Sequence, residues 1–393
     1  MKDSTVPSDI AHAVNIMLDF AERTGLSSGR SPRRYLWTDA FAVCNFLGLY
    51  EATGDDRFKA LALALIDQVH TILGRHRPDD TRTGWISGLS EAEGRARPLA
   101  GGLRIGKALN ERARNAAPDA RLEWEQDGQY FHYLTKWVHA LVQAGTRLGE
   151  ARFIHWAAEL SEVAHRAFLY EPVPDTGKRM YWKMRIDLSA PLVSSMGQHD
   201  PLDGLVTCRA LQHAAKCANI KNLDPNIERE IEDYRLICQQ IRFETDDPLG
   251  LGGLLFDALR LAEIGWASEP FYYHLSCKVL GAAAYGLKAY LNQRPLDLPA
   301  HQRLAFREIG LAIGLVALER IAKRTIAKPD LPAGDMHAEI ELLSRHIPLG
   351  RAIERTWLKP DNQQVESWIG HQDINAVMLA TCLIPDGFLS LDM

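Results

Sequence analysis

The chain lacks most of the features that assign a protein quickly. Its six cysteines (Cys44, Cys208, Cys217, Cys238, Cys277 and Cys382) form no CxxC pair. All but Cys277 fall inside apolar helical patterns, where buried free thiols usually sit. That argues against a cysteine zinc site and for a reducing compartment, with the cytoplasm as the default. Basic charge is not in excess: 45 Lys and Arg against 50 Asp and Glu leave a net charge of −5, which speaks against a nucleic-acid-binding surface. Long apolar runs are missing too. The most apolar helix interior, GLAIGLVAL at 310–318, is about half the length needed to span a bilayer, so no membrane partner is expected. The N-terminus, MKDSTVPSDIAHAV, has neither the charged nor the apolar region of a secretory signal. No GxSxG, HExxH or GxGxxG element occurs in a convincing context, and the glycine-rich GLSEAEGRARPLAGGLRIGK at 88–107 contains no GxxxxGK[ST]. Serine hydrolase, zincin, Rossmann and phosphate-loop readings therefore have no support, and no metal or cofactor is expected.

What is present is helix. Hydrophobic residues make up 46% of the 393 and charged ones 24%, the balance of an ordinary globular protein. Start and stop signals give about twelve helical runs: roughly 8–24, 37–53, 56–74, 129–148, 150–168, 201–219, 225–242, 249–264, 271–292, 301–324, 335–357 and 367–384. Two long inserts interrupt them, a loop at 75–126 and a second at 170–197, where RMYWKMRIDL is the best candidate for a short β-hairpin. A weak internal repeat supports helical hairpins: LYEATGDDRFKALALALIDQVHTIL (49–73) and LVQAGTRLGEARFIHWAAELSEVAHRAFL (141–169) share a turn between two helices. Even-numbered runs are apolar nearly all round (AFAVCNFLGL, LGLGGLLFDAL, AIGLVAL, NAVMLATCLI), while odd-numbered ones carry charge on one side, as in NIEREIEDY. The first kind is buried and the second lies outside. Six such pairs describe an all-α (α/α)6 toroid of six helical hairpins, spanning 1–393 as a single domain.

In that architecture the inner helices run the same way, so their N-termini share one cavity mouth with their dipoles. Two inner starts carry nearly the same quartet, Gln198-His199-Asp200 after Gly197 and His371-Gln372-Asp373 after Gly370. Two others bring Arg34, Trp37 and Asp39, and Glu123, Trp124, Glu125, Asp127, Gln129, Tyr130, His132 and Tyr133. The last also adds Glu366, Trp368 and Asn375. Carboxylates, amides and imidazoles mixed with indoles suit a sugar: polar groups hold hydroxyls, rings stack on pyranose faces, and two carboxyls serve as acid and base. Asp39, Asp200, Asp373, His199 and His371 are the catalytic candidates. Arg34, Trp37, Trp124, Gln129, His132, Tyr133, Gln198, Glu366 and Trp368 are the binding candidates.

Each candidate has a plainer reading. Asp200 before Pro201 is a ready helix cap, whereas a cap at Asp39, three residues inside its helix, is unneeded and its burial costly. His132 and His139, seven apart, are more simply core histidines than metal ligands. Glu91, Glu93, Arg95, Arg97, Arg104 and Lys107 belong either to a lid that brings cations to an anionic sugar or to a solvated loop.

With these segments in hand, the chain resembles the six-hairpin glycosidase superfamily over nearly its whole length. WTDAFAVCNFLGLYEATGDDRF is similar to the Trp-x-Asp-Gly segment and TGD turn of unsaturated glucuronyl and rhamnogalacturonyl hydrolases, with Ala40 in the Gly position. That resemblance implies an acid/base role for Asp39. The N-acylglucosamine 2-epimerase family is similar in size and ring; its His-x-x-Glu pair is not found, and its catalytic histidines would correspond to His199 and His371. Lanthionine cyclase-like toroids need a Cys/His zinc set that the scattered cysteines do not supply. The expected function is a glycoside hydrolase acting on a short saccharide, neutral or anionic. A sugar epimerase using two histidines is the alternative, and a non-catalytic scaffold the third reading. Outer helices of such rings often pair, which leaves a homodimer open.

Overall fold

The computed structural model describes residues 8–173, 177–221, 223, 226–264, 269–327 and 335–390. Helices dominate them, close to where the periodicity predicts. In order they are α1 (Ser8–Arg23), α2 (Leu36–Thr53), α3 (Asp56–Leu73), the short α4 (Glu91–Ala96), α5 (Phe131–Leu148), α6 (Ala151–Phe168), α7 (Asp200–Cys217) and α8 (Ile227–Gln240). Then come α9 (Pro248–Ile264), α10 (Pro270–Asn292), α11 (Ala305–Ala327), α12 (Asp335–Ser344), α13 (Ile347–Trp357), α14 (Glu366–Ile369), α15 (Gln372–Leu383) and α16 (Asp386–Leu389). The chain divides into two compact units, one of 1–20, 51–54 and 241–393, the other of 21–50 and 55–240.

In the unit of 21–50 and 55–240, burial separates two kinds of helix. Every α2 residue from Leu36 to Leu49 is buried, as the all-round apolar sequence requires. In α3 only Phe58, Ala62, Leu65, Ile66, Val69, His70 and Leu73 are buried, a stripe at three- and four-residue spacing. Asp55 opens α3 by accepting the Arg57 N–H at 3.0 Å. Gly149 closes α5 in the left-handed region at φ 66°, which costs a glycine little.

The two inserts are built together. Strand β1 (Gln129–Tyr130) leads into α5, and the 170–197 insert supplies β2 (Leu169–Tyr170), β3 (Arg179–Met180), β4 (Lys183–Met184) and β5 (Pro191–Val193). The expected hairpin is β4 against β5, antiparallel, while β4 also pairs with β1 through Gln129 opposite Met184. RMYWKMRIDL is thereby shared between two sheets, since β3 pairs with β2 instead. Buried ion pairs stitch the inserts: Asp127 takes Arg104 at 3.1 Å and Arg77 at 3.3 Å, and Glu111 takes both Arg82 and Arg185. Arg82 also reaches Asp187 at 2.8 Å. The 75–126 loop is braced, because most of its arginines pair with carboxylates of the protein.

The unit of 1–20, 51–54 and 241–393 holds α9 to α16. There α9 and α11 approach through glycine: a Cβ on Gly252 would stand 2.0 Å from the Gly310 carbonyl oxygen. Two helical runs expected to be continuous are broken. Pro348 starts α13 afresh after α12, since its missing N–H fits only a first turn. The last run breaks at Gly370–His371, between α14 and α15.

Candidate functional site

Three helix starts of the unit of 21–50 and 55–240 converge: the first turns of α2, α5 and α7. Trp37 of α2 faces His132 and Tyr133 of α5, with ring centroids 6.0 and 5.4 Å apart. The Tyr35 and Tyr133 hydroxyls meet at 2.6 Å. Tyr130 stacks on His132 at 5.5 Å, and the His132 Nδ1 lies 3.7 Å from Asp200 Oδ1 at the head of α7. One helical turn on, Lys136 places its Nζ 2.7 Å from Asp203 Oδ2, and Thr135 donates to the same oxygen.

Burial sets the protonation states. Asp200 is 6% exposed; burial pushes its carboxyl up to about 8, the nearby Asp203 adds to the rise, and Lys136 opposes it. Burial pulls His132 down to about 4, with the Lys136 cation contributing. At neutral pH the site thus pairs a protonated carboxyl with an uncharged imidazole. Burial also raises the Tyr133 phenol well above its ordinary value.

Three buried polar atoms around His132 have no hydrogen-bond partner among the described residues: Trp37 Nε1, the Tyr130 hydroxyl and Asp200 Oδ2. An unmet buried donor or acceptor costs about 1–3 kcal/mol, and three of them lie together here. The His132 side chain is 33% exposed and gives the cluster its opening.

Other expected residues take other places. Asp39 is buried; its Oδ2 accepts the Tyr35 N–H at 2.9 Å, and its Oδ1 lies 3.5 Å from Arg34 Nη1. A carboxylate four residues into α2 does serve the helix start, contrary to the expectation that none is needed there. Arg34 also donates to the Thr24 carbonyl at 2.6 Å. Gln129 is wholly buried, taking the Leu103 N–H and donating to the Gly101 and Ile186 carbonyls, so its amide locks the inserts to α5. Trp124 is 57% exposed against Trp182. Gln198 is exposed and His199 half-buried at the N-cap of α7, and no His199 side-chain bond caps that helix.

In the unit of 1–20, 51–54 and 241–393, Glu366 and His371 are exposed and Asp373 is half-buried. Trp368 is buried and stacked on Trp357 at 5.8 Å, which makes it a core ring. His371 stands at the N-cap of α15 with its ring 5.4 Å from Phe306 and, like His199, no side-chain cap bond.

Of the insert cations, Arg95 pairs with Glu91, Arg97 with Glu159 and Arg104 with Asp127. Lys107 alone of the four lies by the aromatic cluster, 5.4 Å over the Tyr35 ring. Glu93 is tied into the Ser90 capping box of α4. Three contributors escaped sequence reasoning: Tyr35, Thr135 and Lys136. Lys136 was within reach of it, being four residues from His132 on the same helical face. Among the described residues no group of three or more His, Cys, Asp and Glu is placed to hold a metal, and no helix is long and apolar enough to cross a membrane.

The chain has an all-α (α/α)6 toroid fold. Among solved structures it is similar to a GH76 α-mannanase of Bacteroides thetaiotaomicron, at TM-score 0.53 and 7% identity over 98% of this chain and 97% of that one. It is also similar to cellobiose 2-epimerase from Spirochaeta thermophila, at TM-score 0.49 and 12% identity over 96% and 99%. A third is unsaturated glucuronyl hydrolase from Bacillus sp. GL1, at TM-score 0.33 and 13% identity over 72% and 85%. No protein-family model and no curated protein matches the sequence.

Proposed function

We propose that the chain is a carbohydrate-active enzyme, a glycoside hydrolase in which Asp200 donates the proton to the leaving oxygen. The observation that carries this reading is the buried Asp200 carboxyl 3.7 Å from His132, ringed by the unmet Trp37 and Tyr130 donors, with burial favouring the protonated acid. A carboxylic acid kept neutral at pH 7 is what leaving-group protonation needs. Asp203, paired with Lys136, supplies a carboxylate beside the positive charge that develops at the sugar carbon. Trp37 and Tyr133 take the sugar face. In this reading Asp39 sets the start of α2 and so the position of Trp37. The α-mannanase likeness agrees with the class, since that neighbour carries the fold on a saccharide.

A sugar 2-epimerase is the second reading. Its support is His132, whose uncharged imidazole can accept a proton from carbon and whose neighbour Asp200 can return one. One experiment separates the two. The full-length chain is incubated in D2O with neutral and uronic disaccharides and oligosaccharides. New reducing ends without carbon-bound deuterium mean a hydrolase, and deuterium at carbon without cleavage means an epimerase. Neither product with any sugar refutes both.

A further inference from the structure

Two tryptophans outside the reaction cluster are presented to solvent side by side. Trp124 lies in a single helical turn, 122–124, of one insert, and Trp182 just ahead of β4 in the other; their rings are 5.2 Å apart. Both neighbours in sequence are bolted down. Lys183, wholly buried, donates to the carbonyls of Glu123 and Gln126 and pairs with Glu123 Oε1 at 2.8 Å. Glu123 also takes Arg112 at 3.1 Å, and Arg112 donates to the Leu192 carbonyl. The Trp182 ring is fixed by its own N–H, which donates to Ser195 Oγ at 2.9 Å.

The pair also has a direction. Trp182 stands 5.1 Å from Tyr130, and Tyr130 stands 5.5 Å from His132, beside Asp200. Rings follow one another at steps of 5.1 to 5.5 Å from the solvent edge to the protonated carboxyl. Trp124 is 57% exposed and Trp182 half-buried beside it, and an apolar pair held rigid by a buried polar network marks a contact surface rather than leftover exposure.

We infer that Trp124 and Trp182 form an outer stacking subsite for a pyranose ring remote from the reacting bond, so that the substrate is an oligosaccharide of three or more residues. This rests on the carbohydrate reading above. The exposed indole face of Trp124 takes the C–H face of the sugar, with Trp182 and the buried Tyr130 beneath it fixing how far the subsite lies from Asp200.

The test measures calorimetric binding of gluco- and manno-oligosaccharides of two to five residues to the full-length Asp200→Asn protein, which needs no turnover. Affinity is expected to rise about tenfold from two to three residues, the scale of one added aromatic contact. Adding Trp124→Ala or Trp182→Ala flattens that rise and leaves disaccharide affinity unchanged, while Trp124→Phe restores most of it. Disaccharide binding with no gain in length, or a gain that survives both alanine variants, overturns the subsite but not the function. No binding by any saccharide overturns both.

Discussion

Asp200→Asn should make the protein more stable at pH 7 while removing its activity. In the folded chain the Asp200 carboxyl titrates near 8 against an ordinary 3.8. Below about pH 4 both folded and unfolded chains carry the proton, and burial of the acid is harmless. Between about pH 4 and 8 the unfolded chain ionises and the folded one does not, so stability falls as pH rises through that window. At 1.36 kcal/mol per unit, the loss reaches about 4 kcal/mol at pH 7. The side chain is 8% exposed, so solvent screening takes little from it. An asparagine keeps the neutral shape and never ionises, so the variant recovers that energy. For cooperative unfolding of a chain this long, the gain is a melting temperature about 5 °C higher. Thermal unfolding from pH 4 to 8 should show wild type and variant together at the acid end and diverging toward neutrality. Turnover of a saccharide should fall by about 10² to 10⁴, the usual worth of a positioned proton donor. An equal or lower melting point at pH 7, or an offset that does not change with pH, would refute the buried neutral acid. Full activity in the variant would refute its role.

Three further outcomes test the same construction. The kcat/KM profile should be bell-shaped, falling below about pH 4 as His132 gains a proton and above about 8 as Asp200 loses one; a flat profile above pH 8 contradicts the donor assignment. Asp39→Asn keeps an acceptor for the Tyr35 N–H but leaves the buried Arg34 without its counter-charge, so denaturation should show a loss of about 3–5 kcal/mol. Activity per folded molecule should be largely kept; its abolition would make Asp39 itself a reacting group. Lys183→Met takes one of two cations from Glu123 and the donor from the Glu123 and Gln126 carbonyls, so a stability loss of about 1–3 kcal/mol and faster proteolysis within 75–126 are expected. Unchanged cleavage rates would mean the loop is held by other means.

Much of the fold was legible because burial follows composition closely. The all-apolar stretch from Leu36 to Leu49 could only be an interior helix, and the stripe in α3 only a covered one. The interruptions at Pro348 and at Gly370–His371 were signalled by those residues but outweighed by the apolar periodicity around them. For the candidate site, residue type was readable and commitment was not. Asp39 and Asp200 both look like carboxyls at helix starts, yet one faces a guanidinium and the other a second acid. Likewise Gln129 has a ligand-binding side chain that three backbone groups consume. Such partners come from segments up to 57 residues away in the chain, and no local pattern names them.

The arginine–carboxylate web between the inserts constrains how this protein can change over time. Deleting 170–197 would take Arg185 from Glu111 and Asp187 from Arg82, leaving that pair only each other and Asp80, and trimming 75–126 would strand Arg185 and Asp187. Shortening either loop alone is therefore a losing mutation, and descendants of this chain should retain or discard both together.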